Sequence, residues 1–242
     1  DCVVRLRQSR RFRSEGGIGR LAALINAGDA DAALALLREG DDPELGWRAH
    51  GWGDPQAFAA AVRQGYGDYL RAVAVGAPAQ EVLARFNAFR VLCSHRSGPT
   101  GVEAVNQRIE EVLARAGLIR RGRLWYPGRP VMVTQNDYSL RLYNGDIGIA
   151  LPDADGQLRV CFETEDGLRR FHPARLPPHE SVYAMTVHKT QGSEFERVLL
   201  LLPSEPSRVV DRRLLFPAFT RGRSRVVLWG RVAWLPEASA RA

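Results

Sequence analysis

The chain predicts an α/β protein in which a parallel sheet carries a small antiparallel barrel as an insert. Three observations predict it. Phe89–Cys93, the turn-rich loop Ser94 to Gly101 and the periodic run Val102 to Ala116 form the strand, polar loop, helix unit of a parallel sheet. Buried-strand patterns return at Val182 to Val187, Val198 to Leu202 and Val226 to Trp229, as expected of strands covered on both faces. Between Arg120 and about Pro178 the texture changes to short strand-like runs separated by Asn-Gly and Asp-Gly turns.

Taken in order, Val3 to Leu6 reads as a short strand, followed by the arginine-rich loop Ser9 to Arg13. Ile18, Leu21, Ala22, Leu24 and Ile25 repeat at helical spacing before Gly28, and Ala33, Leu34, Leu36 and Leu37 mark a second helix closed by Gly40. Asp54 with Pro55 just inside it is a helix start, and Phe58, Val62 and Leu70 give that helix an apolar face to about Val75. A further helix from about Ala79 to Phe86 leads into the strand Phe89–Cys93. In the helix after it, Val105, Ile109 and Val112 share one face. Val131 to Val133, Gly148 to Leu151, Leu158 to Phe162 and Leu168 to His172 are the strands of the insert. The predicted organisation is therefore a discontinuous α/β lobe over 1–119 and 179–242, with a barrel over 120–178.

Composition narrows the function classes. The 242 residues carry a formal charge of +7 and a pI near 9.9, which suits a polyanionic partner, although the bias is also what near-total use of arginine over lysine produces. Cys2, Cys93 and Cys161 are widely separated and show no C-x-x-C spacing, so neither a disulfide framework nor a zinc cluster is indicated. Scattered carboxylates and histidines offer no metal-ligand spacing, which argues against a metal-dependent nuclease. The chain lacks an apolar run long enough for a membrane span, and a cytoplasmic location is expected. It begins without methionine on a β-branched segment, as a fragment of a longer protein would.

The densest chemistry lies in Thr186-Val187-His188-Lys189-Thr190-Gln191-Gly192-Ser193-Glu194-Phe195. Glycine lets backbone approach a ligand, hydroxyls and amides bond phosphate or base, and a carboxylate accepts from ribose hydroxyls. A polar loop between strands is, on chemistry alone, more often solvated surface than a site. Lys189 is the sole lysine and lacks the glycines of a Walker loop, so the chain by itself is not expected to hydrolyse ATP. Arg221 follows Thr220 on a predicted helix, Arg212 to Arg221, that precedes the last strand; Arg223 and Arg225 read as solvated cluster members. Trp47, Trp52 and Trp125 could stack on bases, whereas Trp229, ending a strand, reads as core.

These blocks together resemble the C-terminal half of the exodeoxyribonuclease V alpha subunit (RecD) family, superfamily 1B DNA helicases. Leu6 to Phe12 is similar to the fourth helicase motif, Ala184 to Phe195 to the fifth, and Leu214-Leu215-Phe216 with Thr220-Arg221 to the sixth. Phe89 to Arg96, Gly101 to Asn106, Gly128 to Thr134, Asn136-Asp137-Tyr138 and Asn144-Gly145-Asp146 fall in register between them. Where the family has tyrosine-threonine-alanine before the sixth-motif threonine, this chain has Phe216-Pro217-Ala218, and Pro217 is expected to disturb its helix unless it lies near the first turn.

The resemblance implies a second, RecA-like motor lobe with an inserted SH3-like barrel. It implies that Arg11 and Arg221 reach the γ-phosphate of ATP as the catalytic arginines, and that Gln191, Gly192 and Glu194 lie near the nucleotide. Thr186, His188, Arg96 and Asn106 are implied to face single-stranded DNA. ATP and Mg²⁺ are implied to be held mainly by the N-terminal motor lobe of the same protein. The implied partners are single-stranded DNA and RecB- and RecC-type subunits, with no membrane, and the nuclease activity falls to the RecB partner. The alternatives are a DNA-binding or subunit-docking module without motor activity, and a free-standing or conjugative helicase of the same superfamily.

Overall fold

The computed structural model describes residues 16–49, 51–120, 122–203, 205, 207 and 209–231. The predicted strand Val3 to Leu6 and the loop carrying Arg11 lie outside the described residues. The chain divides into two compact units. The first is drawn from 1–54, 91–101 and 186–242, and the second from 55–90 and 102–185.

In the first unit, α1 (Gly17–Ala27) and α2 (Ala30–Glu39) form where the periodicity places them. Asp29 caps α2 by accepting a bond from the Ala32 amide at 3.1 Å, which occupies one of the orphan donors of the first turn. A strand that periodicity does not reveal, β1 (Leu45–Arg48), follows. It pairs in parallel with the last strand, β10 (Gly222–Trp229), in the register Leu45 to Val226 through Arg48 to Trp229. The Trp47 indole donates to the Gly230 carbonyl at 3.0 Å, so this ring is engaged within the fold, and Trp229 is buried as expected.

β9 (Phe195–Leu201) and β2 (Phe89–Cys93) continue this sheet in the order β1-β10-β9-β2, and β8 (Ala184–Thr186) is the short strand that leads into the polar loop. β10 and β9 are parallel, and the five residues of β2 and the last four of β9 are buried, which is why these strands read as continuous apolar runs. α6 (Arg212–Phe219) packs on this sheet and on α1.

The second unit holds α3 (Pro55–Ala74), α4 (Ala79–Asn87), α5 (Val102–Arg115) and five strands in antiparallel order: β6 (Gly167–Phe171), β5 (Leu158–Thr164), β4 (Ile147–Pro152), β3 (Pro130–Val133) and β7 (His179–Ser181). Val131, Val133, Leu142, Ala150, Val160, Phe162 and Phe171 form the core of this sheet.

The division differs from the boundaries expected at 119/120 and 178/179, because three helices group with the antiparallel sheet. Aromatic packing joins them. Tyr66 and Phe86 meet Tyr183 edge-to-face, Tyr69 meets Tyr66 and Phe86 in the same way, the Tyr66 hydroxyl donates to the Tyr183 carbonyl, and the Tyr69 hydroxyl donates to the Gly128 carbonyl at 3.1 Å. Arg90 lies buried among them, with its guanidinium 4.1 Å from the centre of the Phe86 ring and bonds to the Val182 carbonyl (2.9 Å) and Asn87 Oδ1 (3.0 Å). Trp125, another expected stacking residue, lies against Arg129 and His179.

Among the described residues Cys93 and Cys161 are free and buried, and no helix is long and apolar enough to cross a membrane.

Candidate nucleotide and DNA site

The polar loop after β8 is built from its own hydrogen bonds. Val187–Thr190 forms one turn of 3-10 helix in place of the last strand residue that the apolar pattern predicts. The turn is locked by Thr190, whose buried hydroxyl donates to the Val187 carbonyl at 2.6 Å, and Ser193 N–H then bonds the Thr190 carbonyl at 2.9 Å. Val187 and Thr190 point inward, so His188, Gln191, Gly192 and Ser193 are left exposed and Thr186 half-buried. Gly192 has φ +88°, in the left-handed region, and a Cβ built on it would meet open space. The backbone there is presented bare to whatever approaches.

The second component comes from α6. Asp211 caps its start, with Oδ1 accepting the Leu214 amide at 3.0 Å. The helix ends at Phe219, two residues short of the predicted Arg221, because Thr220 turns its hydroxyl back onto the carbonyls of Phe216 (3.1 Å) and Pro217 (3.2 Å). Pro217 therefore lies in the last turn of a short helix, away from the first turn where it would cost nothing, and the chain leaves the helix within three residues of it.

Arg221 sits in the break between α6 and β10. Its Nη1 donates to the Ser193 carbonyl at 3.0 Å, and its own carbonyl accepts the Phe195 amide at 2.8 Å. With a relative exposure of 9 % it is nearly enclosed. The structure thus brings Arg221 and the 186–195 loop into one hydrogen-bonded assembly, and Ser193, to which the sequence assigns no role of its own, is the residue that joins them. Its position inside the dense polar loop is the available signal.

Other expected residues fare differently. Glu194 is half-buried, and its Oε2 bonds Arg223 Nε at 3.0 Å; Arg223 also reaches Glu196 at 3.8 Å. Arg223 is thus an ion-pair partner of this loop as well as a solvated residue. Arg96 is exposed on the loop after β2. Beside it, His95 bridges Ser94 Oγ (2.7 Å) and Ser207 Oγ (2.8 Å), a tie that fastens this loop to residue 207 and that no sequence spacing advertises.

Asn106, expected on the DNA side, is engaged within the fold. It is buried on α5, donating to the Ala184 carbonyl at 3.0 Å and accepting the Ala184 amide at 2.8 Å, so its amide holds the start of β8. Among the described residues no group of three or more His, Cys, Asp or Glu could hold a metal ion.

Residues 181–229, which contain all of this assembly except Arg96 and its neighbours, match the family described as UvrD-like helicase C-terminal domain. The chain is 39 % identical over 228 residues to the RecBCD enzyme subunit RecD of Mycolicibacterium smegmatis, covering 94 % of this chain and 39 % of that protein. It is 40 % identical over 245 residues to the RecBCD enzyme subunit RecD of Mycobacterium tuberculosis, covering 99 % of this chain and 40 % of that protein. It is also 32 % identical over 157 residues to the ATP-dependent RecD2 DNA helicase of Deinococcus radiodurans, covering 64 % of this chain and 22 % of that protein. The chain spans about two fifths of the length of the curated RecD subunits it matches.

Proposed function

The chain belongs to the RecD family, and from that membership and the geometry around Arg221 we propose that it is the second motor lobe of an ATP-dependent DNA helicase moving 5′ to 3′ on single-stranded DNA in double-strand break repair and recombination. In this reading 1–119 and 179–242 are the RecA-like lobe and 120–178 its SH3-like barrel. RecB- and RecC-type subunits are the partners. The N-terminal lobe of the same protein holds the nucleotide phosphates and Mg²⁺.

The contribution of this lobe is a cation and a surface. Arg221, with Arg11, delivers positive charge to the γ-phosphate, where a planar fork of donors suits phosphate oxygens. Gln191 and Gly192 offer exposed polar groups and bare backbone to the nucleotide, with Glu194 held beside them by Arg223. Thr186, His188 and Arg96 line the DNA side. Binding of nucleotide between lobes favours a closed state, and its loss favours an open one, so the DNA-gripping loop is moved in step with turnover.

The observation that carries this reading is the two-point attachment of Arg221 to the 193–195 backbone. A ligand-dependent shift of the arginine is thereby transmitted to the loop that carries Thr186 and His188. The test is Arg221→Ala in the full-length protein, followed by DNA-stimulated ATPase and single-stranded DNA binding. Turnover should fall by about 10³-fold or more, the range of an arginine finger, with DNA binding retained. Near-normal ATPase together with lost DNA or subunit binding would establish a docking module instead.

A further inference from the structure

The antiparallel sheet presents a feature that the motor chemistry does not use. Tyr138 and Tyr143 are 75 % and 47 % exposed, and their rings meet edge-to-face at 6.2 Å. Large aromatic side chains left in water as a pair on a folded surface mark a contact site, since burying them releases more free energy than most surface residues can.

The loop that carries them is rigid. Asp137 pairs with Leu142 across it and accepts from Ser139 Oγ (2.7 Å) and the Leu140 amide (3.0 Å), while Asn136 and Asp146 accept the amides of Asn144 (2.8 Å) and Tyr143 (2.7 Å). The tip of the β5–β6 hairpin lies against it, through Arg141 to Asp166 at 3.2 Å and Arg169 to the Leu140 carbonyl at 2.6 Å.

Charge decides what this surface takes. A cleft of about 640 Å³ opens beside Tyr143, lined by the carboxylates of Asp146, Glu163, Glu165 and Asp166 against the two guanidiniums of Arg141 and Arg169. Both arginines are already engaged, one by Asp166 and the other by a backbone carbonyl. On a chain of formal charge +7 this cleft is therefore locally acidic. A phosphate backbone would be repelled from it, which argues against the obvious use of paired tyrosines as a base-stacking platform. An arginine- or lysine-bearing polypeptide is favoured twice, by the carboxylates and by the tyrosine faces, which attract a cation through the ring quadrupole.

We propose that the Tyr138–Tyr143 loop and the adjoining acidic hairpin tip form a docking surface for a basic segment of a partner protein. The probe is a fluorescein-labelled twelve-residue peptide of alternating glycine and arginine, titrated by anisotropy against the full-length protein, with a twelve-nucleotide oligothymidylate in parallel. Two surface variants are compared with wild type: Tyr138→Ala with Tyr143→Ala, and Glu163→Gln with Glu165→Gln. Each should weaken peptide binding by about tenfold and leave oligothymidylate binding unchanged. Peptide affinity that is the same in wild type and both variants would overturn the proposal. So would a loss of oligothymidylate affinity in the tyrosine variant, which would make the loop a nucleic-acid platform. The glutamine pair is nearly isosteric and solvent-exposed, so the test stands even if the tyrosine pair contributes to folding.

Discussion

Arg221 and Ser193 are joined by a 3.0 Å hydrogen bond from the guanidinium to a backbone carbonyl, while the adjacent Phe195 amide returns a 2.8 Å bond to the Arg221 carbonyl. The guanidinium is a planar group of five donors, so anchorage through one nitrogen and a fork of donors toward a ligand can belong to the same side chain.

Lysine cannot divide itself in that way. An ammonium is a point charge on a flexible stem and has no second, rigidly placed fork once it has bonded the Ser193 carbonyl. Arg221→Lys in the full-length protein is therefore expected to rescue little, with DNA-stimulated ATPase reduced by about 100-fold or more. Steady-state ATP hydrolysis at saturating DNA measures this, and a melting temperature within a few degrees of wild type shows that the fold is intact.

Gly192→Ala isolates the backbone. At φ +88° an L-residue costs about 1–2 kcal/mol, and because the new methyl meets open space no clash adds to it. Thermal melting should drop by only a few degrees. If the bare peptide at Gly192 lies against the nucleotide, the KM for ATP rises by more than this modest loss of stability explains. An unchanged KM would remove Gly192 from the site.

Asn106 separates a structural role from a DNA contact. Alanine there leaves a buried N–H and C=O of Ala184 without the amide that satisfies both, a loss of about 2–3 kcal/mol in denaturant unfolding. Asn106→Asp should be at least as damaging, since a carboxylate cannot donate to the Ala184 carbonyl. Full stability with weakened DNA binding would restore the DNA-side assignment.

The buried tyrosines make the second unit sensitive to alkali. Burial holds the hydroxyls of Tyr69, Tyr126 and Tyr183 above the ordinary value near 10. Their folded values exceed their unfolded ones, so their stabilising contribution is complete below pH 10 and is lost as pH climbs past it. Arg90 acts in the opposite sense. Burial lowers it to about 10, well below the usual arginine value, so above that pH the unfolded chain binds the extra proton and stability rises with pH. The buried thiols of Cys93 and Cys161, also held up by burial, act in the same sense as the tyrosines, so the groups that favour unfolding in alkali outnumber Arg90 and each uncompensated one contributes a decline of about 1.4 kcal/mol per pH unit. Urea midpoints between pH 9 and 11.5 should fall steeply, and Tyr183→Phe should make the fall shallower.

Much of this was legible in the residues. The apolar runs at β2, β9 and β10, the periodic faces of α1 to α5 and the turn signals between β3 and β6 depend on neighbours in sequence, and they appear where they were expected. The composition of the 186–195 loop likewise marked it as the place to look. β1 escaped notice because Leu45–Arg48 is too short to show a pattern, and it becomes a strand only by pairing with Val226 to Trp229 at the other end of the chain.

The amino-acid order by itself determined most of the helices and the longer buried strands, the position of the polar loop and the presence of an arginine directly after Thr220, because propensity, periodicity and capping act within a few residues. Tertiary structure alone decided that α3, α4 and α5 group with the antiparallel sheet, that Asn106 is committed to Ala184, that Glu194 pairs with Arg223 and that Arg221 hangs from Ser193. Each of these joins groups 28 or more residues apart through a directional bond or a packed ring, and a hydrogen-bond donor carries no mark in the sequence of which distant acceptor the fold will place within 3 Å of it.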